Sequence, residues 1–312
     1  MTSLKRLVSA AVGESGLDHL RTIRRHWRKL GRRLQRPMRE AELVAQLRMG
    51  GIAAGDVVMV HSSLARLGNV HGGAPTVVRA LQQVVGEEGT ILMPAYSSAK
   101  EVYERSDAGQ LIDLRIDRSL QGAIPEAFRL SPGVLRSSHP FSSVCAWGRH
   151  AAFVTGGHDL DPRICHSDSP IGRLLQLEGK VLGLGVDMGP VSFYHVIEDT
   201  WDGFPFDPYD EPRLVTYIDA QGTLVTRSVQ RYKASLSSNR IDDYSHLWIR
   251  LKITKVLDEH CHRRTFRFGH AHAWVIAAAE FANELKGLAA KGITIYLDEN
   301  QWKSLGQPSF MS

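Results

Sequence analysis

Short continuous apolar runs and 3.6-residue apolar stripes take turns along most of the chain, as expected of strands alternating with helices. Residues 55–61, GDVVMVH, read as a buried strand, as do Thr90 to Tyr96, Ser142 to Trp147 and the first half of residues 179–199, GKVLGLGVDMGPVSFYHVIED. Arg39 to Gly51 and Thr76 to Val85 carry helical stripes, and Pro125 stands at a further helix start within residues 124–129. Strand, glycine loop, helix, strand over residues 55–96 predicts an α/β unit with parallel strands. Residues 97–123 are polar and read as a long irregular loop, long enough to carry function. Ser169 and Pro170 have the chemistry of a helix N-terminus. Arg213 to Val229 alternates around residues 220–222 as a hairpin, and Asp242 to Leu257 and Ala271 to Leu288 read as helices, the second alanine-rich. A short apolar strand follows from Ile293 to Leu297. No internal repeat and no Gly/Ser-rich linker separates independent units.

The leader, residues 1–37, differs from the domain that follows it, residues 38–312. Leu20, Ile23, Trp27, Leu30 and Leu34 recur at steps of three and four, with arginines and lysines on the other faces, which predicts a basic amphipathic helix. Residues 1–40 hold 11 Lys+Arg against 3 Asp+Glu, or +8; subtracting these from the chain's 38 and 33 leaves 27 against 30, or −3, for residues 41–312. The high pI therefore belongs to the leader and does not mark the body as nucleic-acid binding. Such a helix can pack on the body with its arginines solvated, or can dock through residues 20–36 on an anionic membrane surface or an acidic partner. No apolar run approaches a membrane span and no secretory signal opens the sequence, so the expected address is the cytoplasm. Three scattered cysteines, Cys145, Cys165 and Cys261, read as reduced thiols.

Chemistry gathers in the second half of residues 179–199. His195 and Glu198 stand three apart, on one side of a helix, where a carboxylate can orient an imidazole that takes a proton from a nucleophile. A plain surface pair has the same spacing. His195 and Asp199 also fit His-x-x-x-Asp, a pattern of O-acyltransferases that normally continues with glycine, where this chain has Thr200. A hydrolase using Ser62 or Ser63 would want a GxSxG elbow, which is missing. Arg136 with its neighbouring hydroxyls would suit a phosphate-bearing ligand or a solvated loop equally. The loop 68–73 matches neither the dinucleotide fingerprint nor the P-loop. Histidines in residues 260–272 match no standard zinc spacing, and no metal is expected.

As a set, GDVVMVHSSLARLGNVHGG (55–73), GTILMPAYS (89–97), GAIPEAFR (122–129), RSSHPFSSVCAWG (136–148), SPIGRL (169–174), GKVLGLG and SFYHVIE (192–198) resemble the aminoglycoside 3-N-acetyltransferase family over roughly residues 40–200. The resemblance implies an α/β fold with a mixed central sheet and flanking helices, acetyl-coenzyme A as cosubstrate, and transfer to an amine of an amino sugar. It implies His195 as base with Glu198, and Ser192, where the family usually has threonine, beside the reacting thioester. His61, Ser62, Ser63 and Leu64 match the segment lining the coenzyme channel, and Arg136, Ser137, His139 and Ser142 match a second donor-side landmark. Tyr96, Asp187, Asp199 and Asp202 are the expected acceptor-side residues, with Asp187 near the place of an acidic or amide residue that is Gly189 here. Asp199, Asp202 and Asp207 keep a polycationic drug open as acceptor, while the basic leader favours an amino sugar of surface-polysaccharide or nucleotide-sugar metabolism. A carbohydrate-binding or scaffolding protein that kept the fold without the chemistry is the non-enzyme alternative.

Overall fold

The computed structural model describes residues 35–189, 191–233, 235–236, 261–296 and 304. The amphipathic stripe through Leu34, the helix expected over residues 242–257 and His260 lie outside these.

The chain enters through α1 (Glu40–Met49), β1 (Val57–Ser62), α2 (Ala74–Val85) and β2 (Thr90–Pro94). It continues through α3 (Ala99–Asp107), β3 (Ile112–Asp113), α4 (Ala123–Arg129), β4 (Leu135–Arg136), β5 (Val144–Gly148), α5 (Pro170–Gln176) and β6 (Lys180–Leu184). A 3₁₀ turn, Ser192–His195, runs into α6 (Val196–Thr200); then come β7 (Arg213–Ile218), β8 (Leu224–Val229), β9 (Arg264–Phe268), β10 (Ala271–Ala277) and α7 (Ala278–Ala289). The main sheet has the order β4-β5-β2-β1-β6-β10-β9, and β3-β7-β8 form a smaller one. β1 is parallel to both β2 and β6, whereas β5 pairs antiparallel with β2, and β10 antiparallel with β6. The sheet is thus mixed, with helices against it, in agreement with the expected class.

The unbroken apolar run of β1 follows from burial on both faces. Met59 joins a core with Val181, Ile276, Phe193 and Phe281, while Val58 and Val60 join another with Leu43, Leu47, Val77 and Leu81. The chain leaves β1 for β2 on one side and returns as β6 on the other. The C-terminal ends of three parallel strands therefore meet at one edge, the usual place for a ligand crevice.

Three expectations fail. Ala271 to Leu288 is not one helix: Ala271–Ala277 is β10, paired residue for residue with β6 from Ala273↔Leu184 to Ala277↔Lys180. Alanine content favours helix, but β6 has an open edge, and Trp274, Val275 and Ile276 bury well on a pleated surface. Ile293, Ile295 and Tyr296 form no strand; they bury in the core beneath α7. Residues 97–123 are not wholly irregular, because Ser98 caps α3 by accepting from Glu101 N, and β3 pairs with β7. Only Val102 and Tyr103 of α3 are buried, too little apolar periodicity to announce it.

Gly183 of β6 lies opposite Trp274, and a Cβ there would meet the indole Cε2 at 2.2 Å. The indole Nε1 donates to Val186 O at 2.8 Å and so ties down the segment leading to the 3₁₀ turn. Gly183→Ala is expected to cost about 1–3 kcal/mol by overpacking, read as a lower midpoint in denaturant unfolding.

Candidate active site

β6 ends at Leu184, and the chain crosses the sheet edge into the turn that carries Ser192 and His195. A cavity of about 670 Å³ opens there, bounded by Met59 of β1, Tyr96 after β2, Ser142 before β5, and Ser192, His195 and Tyr232. Four of the expected site residues, Tyr96, Ser142, Ser192 and His195, therefore share one wall system. Tyr96 and Ser192 join their hydroxyls at 2.6 Å. Ser142 Oγ is buried without a protein partner.

Behind this wall, His195 Nδ1 lies 2.9 Å from Glu198 Oε1, and both side chains are buried. A carboxylate only accepts, so Nδ1–H donates and Nε2 is left as the basic nitrogen. Tyr296 donates to the same Oε1 at 2.6 Å and lies 3.3 Å from Nδ1. The ring of Tyr232 packs against the imidazole at a centroid distance of 4.8 Å. Tyr232 and Tyr296 are the residues that sequence reasoning missed: they come from distant segments. A polar tip inside the apolar run 293–297 was the only signal for Tyr296.

Asp199 turns away from His195. Its Oδ2 accepts from Tyr209 at 2.6 Å and from Cys165 N at 2.8 Å, and not from His195 as the His-x-x-x-Asp reading would have it. Burial pushes its carboxyl up to about 6 against the pull of those two donors. Asp187 sits half exposed beside Arg66 at 3.7 Å, and Asp202 is exposed; neither borders the cavity.

The donor-side residues divide in the same way. His61, buried, and Ser62, partly buried, end β1, with the buried atoms His61 Nε2 and Ser62 Oγ lacking protein partners among the described residues, and burial pushes the His61 imidazole down to about 4. Ser63 begins the short turn Leu64–Leu67 by accepting Arg66 N, and Leu64 packs on the α1/α2 core. These four lie at the strand-end edge but outside the cavity wall. Ser137 binds His158 Nδ1 at 2.8 Å, His158 borders the cavity, and His139 packs 5.0 Å from His158. Burial pushes His158 down to about 3 and His139 well below the ordinary range, so both are neutral.

Arg136 does not reach a ligand position. Its guanidinium is buried and spent on Leu114 O, Asp117 O, Ala95 O and Ser143 Oγ at 2.5, 2.6, 2.6 and 3.0 Å. It clasps three loops where a phosphate clamp was expected. Arg136→Met would orphan these acceptors and is expected to cost about 3 kcal/mol, seen as a thermal midpoint lower by roughly 6 °C or more.

The aminoglycoside 3-N-acetyltransferase family profile matches residues 59–288. Aminoglycoside N(3)-acetyltransferase VII of Streptomyces paromomycinus is 34% identical over 195 residues, 57% of this chain and 67% of the relative. A prophage-derived aminoglycoside N(3')-acetyltransferase-like protein of Bacillus subtilis (strain 168) is 35% identical over 179 residues, covering 52% and 65%. The matched stretch thus spans about two thirds of each relative. Among solved structures, AAC-IIIb in a binary complex with CoASH aligns with TM-score 0.71 at 24% identity, covering 83% of this chain and 98% of that one. The apoenzyme of aminoglycoside acetyltransferase AAC(3)-IVa aligns with TM-score 0.64 at 26% identity, covering 85% and 93%. Fold and matches together define an N-acetyltransferase class of enzyme. Within it, the chain belongs to the aminoglycoside 3-N-acetyltransferase family.

Proposed function

We propose that the enzyme moves an acetyl group from acetyl-coenzyme A to an amine of an amino sugar, with His195 as general base and Glu198 as the group that orients it. The observation carrying this reading is the buried His195–Glu198 pair, 2.9 Å apart, whose histidine stands on the wall of the cavity with the Tyr96–Ser192 hydroxyls. An acetyl thioester supplies an activated carbonyl and a sulfur leaving group. The residues present suit it: Met59, Val144 and Ile171 offer apolar wall for the pantetheine arm, and Ser142 Oγ is an unused donor.

A sugar ammonium is no nucleophile until it loses a proton. His195 Nε2 takes it, and Glu198 stabilises the imidazolium that results. The C–N bond forms as the C–S bond breaks, the imidazolium gives its proton to the departing sulfur, and the imidazole, neutral again, takes the second proton from the acylated nitrogen and passes it to solvent. Two hydroxyl hydrogens serve Tyr96 and Ser192, and their mutual bond uses one. When Tyr96 donates, the Ser192 hydrogen can turn to the thioester oxygen, where negative charge grows.

For the acceptor, charge is the guide. Among the described residues lining the cavity there is no Asp or Glu, while Lys100 and Arg231 stand at it together with hydroxyls and imidazoles. That supports a nucleotide-linked or surface-polysaccharide amino sugar over a polycationic free drug, although the curated relatives are named for aminoglycosides. The basic stretch 20–36 is proposed as a peripheral contact with an anionic surface; removal of residues 1–37 should abolish sedimentation with phosphatidylglycerol vesicles, and unchanged sedimentation would refute this.

Thiol release from acetyl-coenzyme A tests the reaction against aminoglycosides, hexosamine phosphates and nucleotide-linked amino sugars. His195→Ala is expected to lower kcat about a thousandfold and Glu198→Gln about tenfold or more, with KM for acetyl-coenzyme A little changed. Wild-type release by His195→Ala would exclude the base. A polycationic drug outrunning every other acceptor would exclude the acceptor preference.

A further inference from the structure

We propose that Tyr232, Tyr209 and Asp199 form a positioning column that sets the plane of the His195 imidazole; this rests on the reading of His195 as the base. Glu198 holds the ring by one nitrogen. The imidazole reorients by rotation about its Cβ–Cγ bond, and such rotation would swing Nε2 away from the acceptor amine. A ring packed against the imidazole opposes that rotation, and Tyr232 packs there, tilted, at 4.8 Å with an interplanar angle of 35°.

Tyr232 is itself backed. Tyr209 stacks on it at 4.9 Å and 19°, and the backbones of the two residues form an antiparallel bridge. Flanking bonds from Asp210 N to Arg231 O and from Lys233 N to Pro208 O, both 2.9 Å, keep the two segments in register. Tyr209 then donates to Asp199 Oδ2 at 2.6 Å. Asp199 follows Glu198 in α6, so the path leaves the helix through His195, crosses two tyrosine rings and returns to the same helix. Burial raises the Tyr209 and Tyr232 phenols well above their ordinary range, which keeps both hydroxyls neutral.

Placement errors of an ångström at a reacting group cost rate and leave binding alone, and this separates a positioning role from a binding one. In the full chain, Tyr232→Leu is expected to lower kcat about tenfold or more, with both KM values within about twofold. Tyr209→Phe, which loses only the hydroxyl held by Asp199, is expected to lower kcat about threefold. Tyr232→Phe keeps the ring and should restore most of the rate. The His195 imidazole proton resonance should move in Tyr232→Leu, where the ring current is lost, and return in Tyr232→Phe. Tyr209→Phe removes one oxygen and carries the test if Tyr232→Leu does not fold. Unchanged kcat in these variants, or a rise in KM alone, would overturn the column. Full activity in His195→Ala would instead overturn the base reading beneath it.

Discussion

Two hydrogen bonds converge on one buried carboxylate oxygen, Glu198 Oε1: His195 Nδ1–H at 2.9 Å and the Tyr296 hydroxyl at 2.6 Å. Burying a carboxylate is costly unless its oxygens are partnered. The pair is local in sequence, yet its burial is not. Tyr296 arrives after α7, and α7 packs Phe281 against Phe193 and Tyr194 of the 3₁₀ turn. The His195–Glu198–Tyr296 cluster is therefore complete only when the C-terminal third packs on the middle of the chain.

The sheet explains why this centre lies where it does. Three parallel strands end at one edge, and β6 delivers His195 there only because Gly183 lets the Trp274 indole lie against its backbone. The indole's bond to Val186 O then fixes the first step out of the strand. A strand from the C-terminal third thus both extends the sheet and aims the segment that carries His195.

How much of this was legible depended on whether a feature was local. The strand at residues 180–184, the three-residue spacing of His195 and Glu198, the caps at Ser169 and the hairpin around residues 220–222 are set by neighbours in sequence, and all were readable. Ala271–Ala277 was not, because its strand character comes from the open edge of β6 and its own alanines point to helix. Arg136 looked like a phosphate ligand by residue type, and its four acceptors come from segments that sequence alone does not bring together. Tyr232 and Tyr296 were invisible for the same reason. Asp199 carried two readings, acceptor carboxylate and partner of His195 in a His-x-x-x-Asp pattern, and its bonds to Tyr209 and Cys165 N answer to neither.

The division between local and non-local information also bears on acceptor choice. A base and an oriented carboxylate can deprotonate almost any amine, so the dyad alone confers little discrimination. Discrimination falls to the groups that meet the rest of the acceptor. On the proposed reading, a polycation moved from water to the hydroxyls, imidazoles and apolar side chains that the described residues place on the wall would lose hydration that carboxylates would have to replace, whereas a neutral or phosphorylated amino sugar would find partners in Ser97, Ser142, Lys100 and Arg231. Lys100 also lies 3.7 Å from Glu104, and Arg231 3.0 Å from Asp210, pairs exposed enough to exchange for a ligand anion at small cost. Family membership fixes the kind of bond made, and on the proposed reading the charges at the cavity bear on the acceptor.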